Sequence, residues 1–224
     1  SVLDSTGSNP TSGGRIPVVG VSAYGKQPMI QGGMSISNPY TYINGFHIIG
    51  DLVLNEGADF CRVMDCEIDG SLSRVGADYS TVVGCTVRGR WFSVSPTNQV
   101  CNRDTIANVT FTGLGPGDGY SYPIMIGTGD TPTGADSCAF LFNTYNITQA
   151  VPTGCSGCEF WGEIFRYSTK NQMRGERRIV TVPAGSSYVR RFRDATSDNK
   201  LDCDTLIATG TGSAEFWPAV SGNS

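Results

Sequence analysis

The chain has 224 residues, which is enough for one large domain or two small ones. Its composition, with 29 glycines, 16% charged residues and 39% hydrophobic residues, is typical of an all-β protein with many turns. The net charge of −4 argues against a nucleic-acid-binding surface, and no run of about eighteen apolar residues predicts a membrane-spanning helix. We therefore expect neither nucleic acid nor a membrane among its partners.

The first segment, residues 1–44, is predicted to form a loop followed by irregular first coils. The N-terminal stretch SVLDSTGSNPTSGG has neither the basic nor the apolar segment of a signal peptide, and it is typical of a loop. The stretch PVVGVSAYGKQPMIQGGMSISNPYTYING that follows is predicted to form the first coils of a repetitive fold.

A repeated pattern begins near residue 45 and predicts that fold. The segment ADFCRVMDCEIDG (58–70) is followed nineteen residues later by ADYSTVVGCTVRG (77–89). Five short segments of this kind end in a glycine, and the first three steps between these glycines are 20, 19 and 24 residues. The glycines are Gly50, Gly70, Gly89, Gly113 and Gly162. A period of this length is typical of a solenoid in which each turn contributes a few short strands.

Aligning the segments on the glycine sorts the side chains into columns. Apolar side chains stand four and two residues before the glycine, at the period of a strand, so both columns are expected to face a common interior. These columns contain Phe46, Cys66, Cys85, Val109 and Cys158, and Ile48, Ile68, Val87, Phe111 and Phe160. Two further apolar columns contain Val63, Val82, Ile106 and Cys155, and Leu52, Leu72, Trp91 and Ile164. The pattern predicts an all-β, right-handed parallel β-helix over residues 45–173, with successive strands about 4.8 Å apart.

The interval between the fourth and fifth glycines is too long for one turn. Residues 114–137 are predicted to form a large excursion from the helix, and such insertions often carry binding residues. The stretch FLFNTYNITQ after it fits two registers. One register turns Tyr145 and Ile147 inward but leaves too few residues before the next glycine, and the other turns Phe140 and Phe142 outward. The sequence leaves both registers open.

Residues 174–224 no longer follow the pattern and are predicted to form a small C-terminal β-domain or cap. The segments RRIVTVPAGSSYVRRF and DTLIATGTGSAEFWPAV are interpreted as antiparallel strand pairs joined by turns rich in proline, glycine and serine. A β-helix needs a cap because an open end exposes apolar interior and unpaired strand edges.

Two carboxylates in the repeat are candidates for catalysis. Glu67 and Asp69 lie two residues apart on one strand, with roughly 7 Å between their Cβ atoms, near the separation found in inverting glycosidases. Arg88 is expected one coil above Asp69, so an ordinary surface ladder of opposite charges is the alternative. His47, the only histidine, stands in an outward column without an identifiable partner, which favours a plain surface role over catalysis.

Aromatic residues predict a surface suited to sugars. Trp161 is predicted to point outward in the column of Asp69 and Arg88, where it would stack on a sugar ring or lie in a subunit contact. In the excursion, Asp118, Tyr120 and Tyr122 combine a carboxylate with aromatic rings, and these glycan-binding candidates have a packed loop as the alternative.

The cysteines are interpreted as structural core residues. The motif CSGC at 155–158 has the spacing of a metal motif, but the alignment places both of its cysteines in interior columns. Cys66 and Cys85 are expected to stack as small apolar side chains in neighbouring coils, with a disulfide as the alternative. So much buried thiol favours folding in a reducing compartment, and we expect no metal and no cofactor.

A glycine-rich β-helix with unpaired cysteines and a β-rich C-terminal region resembles bacteriophage tailspikes and tail receptor-binding proteins. The resemblance rests on the coils at 46–113 and 158–164 and on the change of pattern after them. It implies a homotrimer that is assembled in the host cytoplasm and lies in the virion tail beside other tail proteins. It also implies recognition of a bacterial surface polysaccharide.

Two alternatives to a binding protein stay open. A polysaccharide depolymerase of the hydrolase or lyase type would use Glu67 and Asp69, although the chain has room for fewer coils than depolymerising tailspikes usually carry. A purely structural spacer or cap of the virion would use Trp161 as a subunit contact. The small number of coils favours binding without catalysis.

Overall fold

The structure of the chain is a computed structural model. Its backbone is described for residues 16–19, 27–89, 92–94, 101–115, 124–126, 135–149, 160–161, 163–166, 170–175, 177–182, 186–193, 200–202, 205–210 and 213–217. Side chains are described within 27–89, 101–112, 136–146 and 170–175, and at Arg177, Lys200, Asp202 and Thr205. This part of the chain contains no helix, and so none that is long and apolar enough to cross a membrane.

Short strands form three main sheets that run along the length of the molecule. The first sheet contains Ile16–Val19, Thr41–Asn44, Arg62–Met64, Thr81–Val83, Thr105–Ala107, Ala139–Leu141, Gln172–Arg174 and Lys200–Asp202. The second contains Met29–Gln31, His47–Ile49, Glu67–Ile68, Thr86–Val87, Thr110–Gly115, Thr144–Gln149, Arg177–Val182 and Thr205–Gly210. The third contains Met34–Ile36, Leu52–Leu54, Leu72–Arg74, Phe92–Val94, Ile124–Ile126, Phe160–Trp161, Glu163–Arg166, Ser186–Arg193 and Ser213–Trp217. A minor pair joins Cys101–Asn102 to Ala135–Asp136.

Each pairing between described strands is parallel and joins one turn of the chain to a neighbouring turn. The chain visits the three sheets in the same order in successive coils. This arrangement is a parallel β-solenoid, and it confirms the predicted all-β class and β-helix architecture. The boundaries of 45–173 and 174–224 as separate units stay a prediction.

The predicted interior columns hold in the first coils. Val63, Val82 and Ile106 lie in register in the first sheet and are fully buried. Cys66 and Cys85 are buried free thiols in neighbouring coils, so the core interpretation is confirmed. Burial of each aliphatic side chain of this size stabilises the fold by about 1.5–3 kcal/mol. The interior of the solenoid is therefore the hydrophobic core.

One predicted column is wrong by a residue. Phe92, not Trp91, lies in register with Leu72 and continues the apolar column of Leu52 in the third sheet. The turn from Gly89 to this strand is one residue longer than the corresponding turn in the preceding coil. Trp91 itself lies outside the described residues.

The fifth glycine segment is also misplaced. Phe160 and Trp161 pair with Ser187 and Tyr188 in the third sheet, so they do not continue the second-sheet columns. Gly162 lies outside the described residues. Cys155 and Cys158 lie outside the described residues. The alignment failed here because later coils are longer, with 34 residues from Phe111 to its in-register partner Tyr145.

The register left open after the excursion differs from both predicted choices. Tyr145 lies against Phe111, with the two rings stacked 4.9 Å apart, and it faces inward as the first register has it. Phe140 is buried opposite Ile106, whereas Phe142 is 55% exposed at a corner, as the second register has it. The predicted excursion also contains Ile124–Ile126, which is a strand of the third sheet.

The C-terminal strands pair in parallel, so the antiparallel pairs predicted there are wrong. Arg177–Val182 lies between Thr144–Gln149 and Thr205–Gly210 in the second sheet. Ser186–Arg193 pairs with Ser213–Trp217 in the third. The PAGSS and GTGS segments therefore connect different sheets and do not close hairpins. Glycine, proline and serine are typical of tight connections in general, so composition alone did not distinguish a hairpin turn from a connection between sheets.

The repeated glycine has a steric cause. A Cβ atom at Gly70 would clash with the carbonyl oxygen of Gly50, and one at Gly89 would clash with that of Gly70. Each coil thus rests directly on the backbone of the coil before it at this corner. Any larger residue would push the coils apart.

A second corner carries side chains in the left-handed backbone conformation. Six residues in successive coils share it, with φ between 53° and 60°, and we call them the corner column. The corner column contains Tyr40, Phe60, Tyr79, Arg103, Ser137 and Lys170. This conformation costs a non-glycine residue about 1–2 kcal/mol, so packing has to compensate for it.

The corner column explains the repeated Ala-Asp-aromatic motif. The alanines at 58 and 77 are fully buried. Asp59 Oδ1 accepts the backbone N–H of Asp78 at 2.8 Å and ties one coil to the next. Phe60 and Tyr79 stack with ring centres 4.9 Å apart, which compensates in part for the backbone strain.

The interior also holds one ion pair. Arg74 stands in the third sheet in register with Leu54 and Val94, and its Nη2 atom lies 2.6 Å from Oδ1 of Asp104. Both side chains are fully buried. The two atoms are close enough to form an ion pair, but the N–H groups of Arg74 do not point at an acceptor in hydrogen-bond geometry. Asp104 Oδ1 also accepts the backbone N–H of Ser80 at 2.8 Å.

Burial opposes both charges of this pair. It raises the pKa of Asp104, and at Arg74 it acts to lower the pKa. Burial is the largest single effect at Arg74, but the attraction of the Asp104 carboxylate and smaller contributions from neighbouring groups together outweigh it, so the pKa of Arg74 is raised. The guanidinium therefore stays charged in the core.

Candidate binding face

The outward side of the second sheet is mainly polar where its side chains are described. Its side chains alternate along each strand with the buried column of Ile48, Ile68, Val87, Phe111 and Tyr145, so they point to solvent. We call this surface the polar face. It contains His47, Glu67, Asp69, Thr86, Arg88, Thr110, Thr112, Thr144 and Asn146. The two predicted catalytic candidates thus lie on one outward surface with hydroxyl and amide side chains.

Four charged or titratable side chains form a connected cluster at one end of the polar face. Nε2 of His47 donates to Oδ2 of Asp69 at 2.7 Å. Nη1 of Arg88 donates to Oε2 of Glu67 at 2.8 Å and to Oδ1 of Asp69 at 3.3 Å. Arg88 thus pairs with both carboxylates. This is the surface ladder of opposite charges that the sequence analysis gave as the alternative to catalysis. The sequence analysis found no partner for His47. That partner, Asp69, lies in the next coil, two residues after Glu67, which is the in-register neighbour of His47.

The cluster fixes the charge of Asp69. The hydrogen bond from His47 lowers the pKa of Asp69, and Arg88 lowers it further. The hydrogen bond to Glu67 raises the pKa of Arg88. Asp69 is therefore ionised near neutral pH and can accept a proton or a hydrogen bond, but it cannot serve as a proton donor.

Exposed apolar side chains border the polar face. Met29 lies in register with His47 and is 67% exposed, and Ile49 is exposed two residues further along the strand. Phe142 stands at the corner that leads into Thr144–Gln149, and its ring covers Gly175 of the next coil. The sequence analysis considered Phe142 only in choosing between two strand registers, and no sequence pattern identified it as a binding residue.

The predicted glycan-binding residue Trp161 is not brought to this face. Trp161 belongs to the third sheet, so the prediction that it shares a column with Asp69 and Arg88 is wrong. Only its backbone is described, and its glycan-binding role stays a prediction. Asp118, Tyr120 and Tyr122 lie outside the described residues.

A second aromatic surface lies on the corner column. Tyr40, Phe60 and Tyr79 form a continuous stack with ring centres 5.2 and 4.9 Å apart. Arg103 continues it with its guanidinium 5.5 Å from the centre of the Tyr79 ring. The faces of the inner rings are covered by their neighbours, so mainly ring edges are free to meet a ligand.

No group of three or more metal-ligating side chains is found among the described residues. The described cysteines are buried, and burial raises the pKa of the Cys61 thiol and of the Cys138 thiol. Such thiols are poor metal ligands because the ligand is the thiolate. The cysteines of the CSGC motif lie outside the described residues.

No protein-family model matches the chain, and no curated protein matches it.

Proposed function

We propose that this protein recognises a bacterial surface polysaccharide through the polar face, as a receptor-binding protein of a bacteriophage tail. The observation that carries the proposal is the polar face itself, on which hydrogen-bonding side chains repeat coil after coil. A polysaccharide also repeats its hydroxyl groups along its length. A periodic surface can therefore bind several sugar units at once and add their contributions.

The charged cluster supports tight binding because it is ordered before a ligand arrives. Arg88 is held by two carboxylates and His47 by one, so little side-chain freedom remains to be lost on binding. Their remaining donor and acceptor positions, with the threonine hydroxyls, suit the mixed donors and acceptors of a sugar. Phe142 adds an exposed aromatic ring at the border, on which a sugar ring can pack.

The state of Asp69 favours binding over cleavage. An inverting glycosidase needs one protonated carboxyl to donate to the leaving group, while the other activates water. Asp69 is held ionised by His47 and Arg88, so the acid would have to be Glu67. The Oε2 atom of Glu67 already accepts a hydrogen bond from Arg88. The depolymerase remains the alternative, with Glu67 as acid and Asp69 as base.

The biological setting of the proposal comes from the resemblance of the solenoid to tailspikes. It includes a homotrimer, assembly in the host cytoplasm, and a place in the virion tail beside other tail proteins. Light scattering on the purified protein tests the first of these, with a mass near three chains expected. A monomer at micromolar concentration would contradict the trimer.

Retention on a panel of immobilised bacterial surface polysaccharides tests the binding function. Once one polysaccharide retains the protein, Phe142→Ala and Arg88→Gln are expected to weaken its affinity by about tenfold each, since buried aromatic and arginine contacts dominate binding. Phe60→Ala is the matched control, because it removes an exposed aromatic ring from the corner column and leaves the polar face intact. Equal losses for Phe60→Ala and Phe142→Ala, with both proteins folded, would contradict the assignment.

The same polysaccharide distinguishes binding from cleavage. The polymer is incubated with the protein, and its mass is followed by light scattering together with the release of reducing ends or unsaturated sugars. An unchanged polymer is expected. A falling mass that Glu67→Gln abolishes would instead establish the depolymerase, and retention by no polysaccharide would favour the structural spacer.

A further inference from the structure

The corner column changes from aromatic to cationic along the solenoid. Its first three members are aromatic, and later members include Arg103 and Lys170. Arg103 ends the aromatic stack, since its Nη1 atom donates to the hydroxyl oxygen of Tyr79 at 2.9 Å. The guanidinium is therefore held in a fixed position, and no described carboxylate pairs with it.

A cleft of about 550 Å³ opens beside the cationic end of this column. It is lined by Lys170, Asn171, Gln172 and Lys200. Gln172 and Lys200 lie in register in neighbouring coils of the first sheet. Asn171 is buried, and its Oδ1 atom accepts the backbone N–H of Cys138 at 3.0 Å. The backbone that carries Lys170 is thus anchored from inside the solenoid.

The two lysines of the cleft have no ionic partner among the described residues. The nearby Asp202 pairs with Arg174 at 3.5 Å, and both of these side chains are exposed. The carboxylate of Asp136 accepts a hydrogen bond from Ser137 in the coil before Lys170. Because both lysines line one cleft, an anion bound in it is attracted by two positive charges.

We propose that this cleft binds the carboxylate or sulfate groups of an acidic polysaccharide. Lys170 and Lys200 supply charge-assisted hydrogen bonds to one anionic group, and the amide of Gln172 can bond an adjacent sugar hydroxyl. Arg103 lies two coils before Lys170 along the corner column, a distance of roughly 10 Å, where it meets a second anionic group of the same chain. The polymer then runs parallel to the solenoid axis.

This site is separate from the polar face. Its lining residues lie in two strands of the first sheet or directly before one of them, whereas the polar face is the outward side of the second sheet. Its ligand is selected by charge, and the ligand of the polar face by hydroxyl pattern. Either site can fail in experiment without the other.

Binding of the full chain to polygalacturonate, dextran sulfate and neutral dextran tests the proposal at low and moderate salt. Lys170→Gln and Lys200→Gln are each expected to raise the dissociation constant for the acidic polymer by roughly three- to tenfold. Arg62→Gln is the matched control, because Arg62 is exposed in the same outward row as Lys200 but several coils away. Thermal unfolding of each variant checks that it is folded.

The proposal predicts binding to one of the acidic polymers, none to neutral dextran, and no effect of Arg62→Gln. Phe142→Ala, which tests the polar face, should leave this binding unchanged. Failure of the wild type to bind either acidic polymer would overturn the proposal, as would an equal loss in Arg62→Gln. Single-stranded DNA bound as tightly, with the same dependence on the two lysines, would overturn the choice of a glycan.

Discussion

Replacing the two residues of the buried ion pair, singly and together, perturbs the core at one defined point. Arg74→Leu supplies the side chain that Leu54 already has one coil earlier in the same interior column. Asp104→Asn keeps an oxygen that can accept the backbone N–H of Ser80. Asparagine side chains make the same contact to the preceding coil elsewhere in this solenoid. Both substitutions therefore fit the local structure.

Each single substitution leaves one charge buried without its partner, and this typically costs about 3–5 kcal/mol. Asp104→Asn is the more informative of the two, because burial penalises the carboxylate as well as the guanidinium. Taken alone, removing the buried negative charge of Asp104 would stabilise the fold. We expect a net loss, since Arg74 keeps its charge and its buried nitrogens already lack acceptors. The double variant removes both charges and is expected to lie within about 1 kcal/mol of the wild type, or above it.

Urea unfolding of all four proteins at neutral pH gives the coupling free energy between the two sites. The structure predicts a coupling of several kcal/mol, with the double variant more stable than either single variant. Additive losses, in which the double variant is the least stable, would refute the isolated ion pair. A more stable Asp104→Asn protein would show that burial of the carboxylate outweighs its attraction to Arg74.

Three smaller changes test other parts of the fold. Gly89→Ala places a Cβ against the backbone of the preceding coil and is expected to cost about 1–3 kcal/mol, and an unchanged urea midpoint would contradict the steric role of the glycine column. Ser80→Ala removes a buried hydroxyl that donates to the carbonyl of Ala58 at 2.8 Å, and a loss of about 1–3 kcal/mol is expected in the same assay. The pKa of Asp69 is lower in the folded protein than the value of about 3.9 in the unfolded chain, so the ionised carboxylate stabilises the fold above that pH. This stabilisation is lost as the pH falls through the lower folded pKa. Asp69→Asn is therefore expected to be less stable than the wild type at pH 6 and equally stable near pH 2.

The early coils could be predicted from the sequence because each signal there has a direct physical cause. The glycine marks a contact between backbones, and the alternation around Cys66 and Cys85 marks an interior column. Arg74 stands two residues after Leu72 on the same strand, and the structure shows it buried in the interior as the alternation requires. The sequence analysis did not identify this charged residue, because its partner Asp104 lies in another coil, just before the strand Thr105–Ala107.

The later coils could not be predicted because their lengths vary. The spacing between in-register residues rises from 20 residues at Ile48 and Ile68 to 34 at Phe111 and Tyr145. An alignment that relies on a fixed period loses its register when a loop is inserted. Trp161 was placed in the wrong sheet for this reason.

The candidate site was predicted in part. Glu67, Asp69 and Arg88 could be placed together because they stand in neighbouring outward columns of regular coils. The hydrogen bond from His47 to Asp69 is diagonal, between neighbouring coils and two residues along, so a comparison of single columns does not find it. The left-handed corners were also missed, because aromatic residues rarely adopt that conformation.

Hydroxyl-radical footprinting with and without the retained polysaccharide shows directly whether the polar face is the surface that binds it. Aromatic, histidine and methionine side chains report their own exposure, and exposed examples stand both on the polar face and away from it. We expect protection of Phe142, His47 and Met29, and unchanged oxidation of Phe60 and Tyr79. Protection confined to Phe60 and Tyr79, on a polysaccharide that is demonstrably bound, would contradict this expectation.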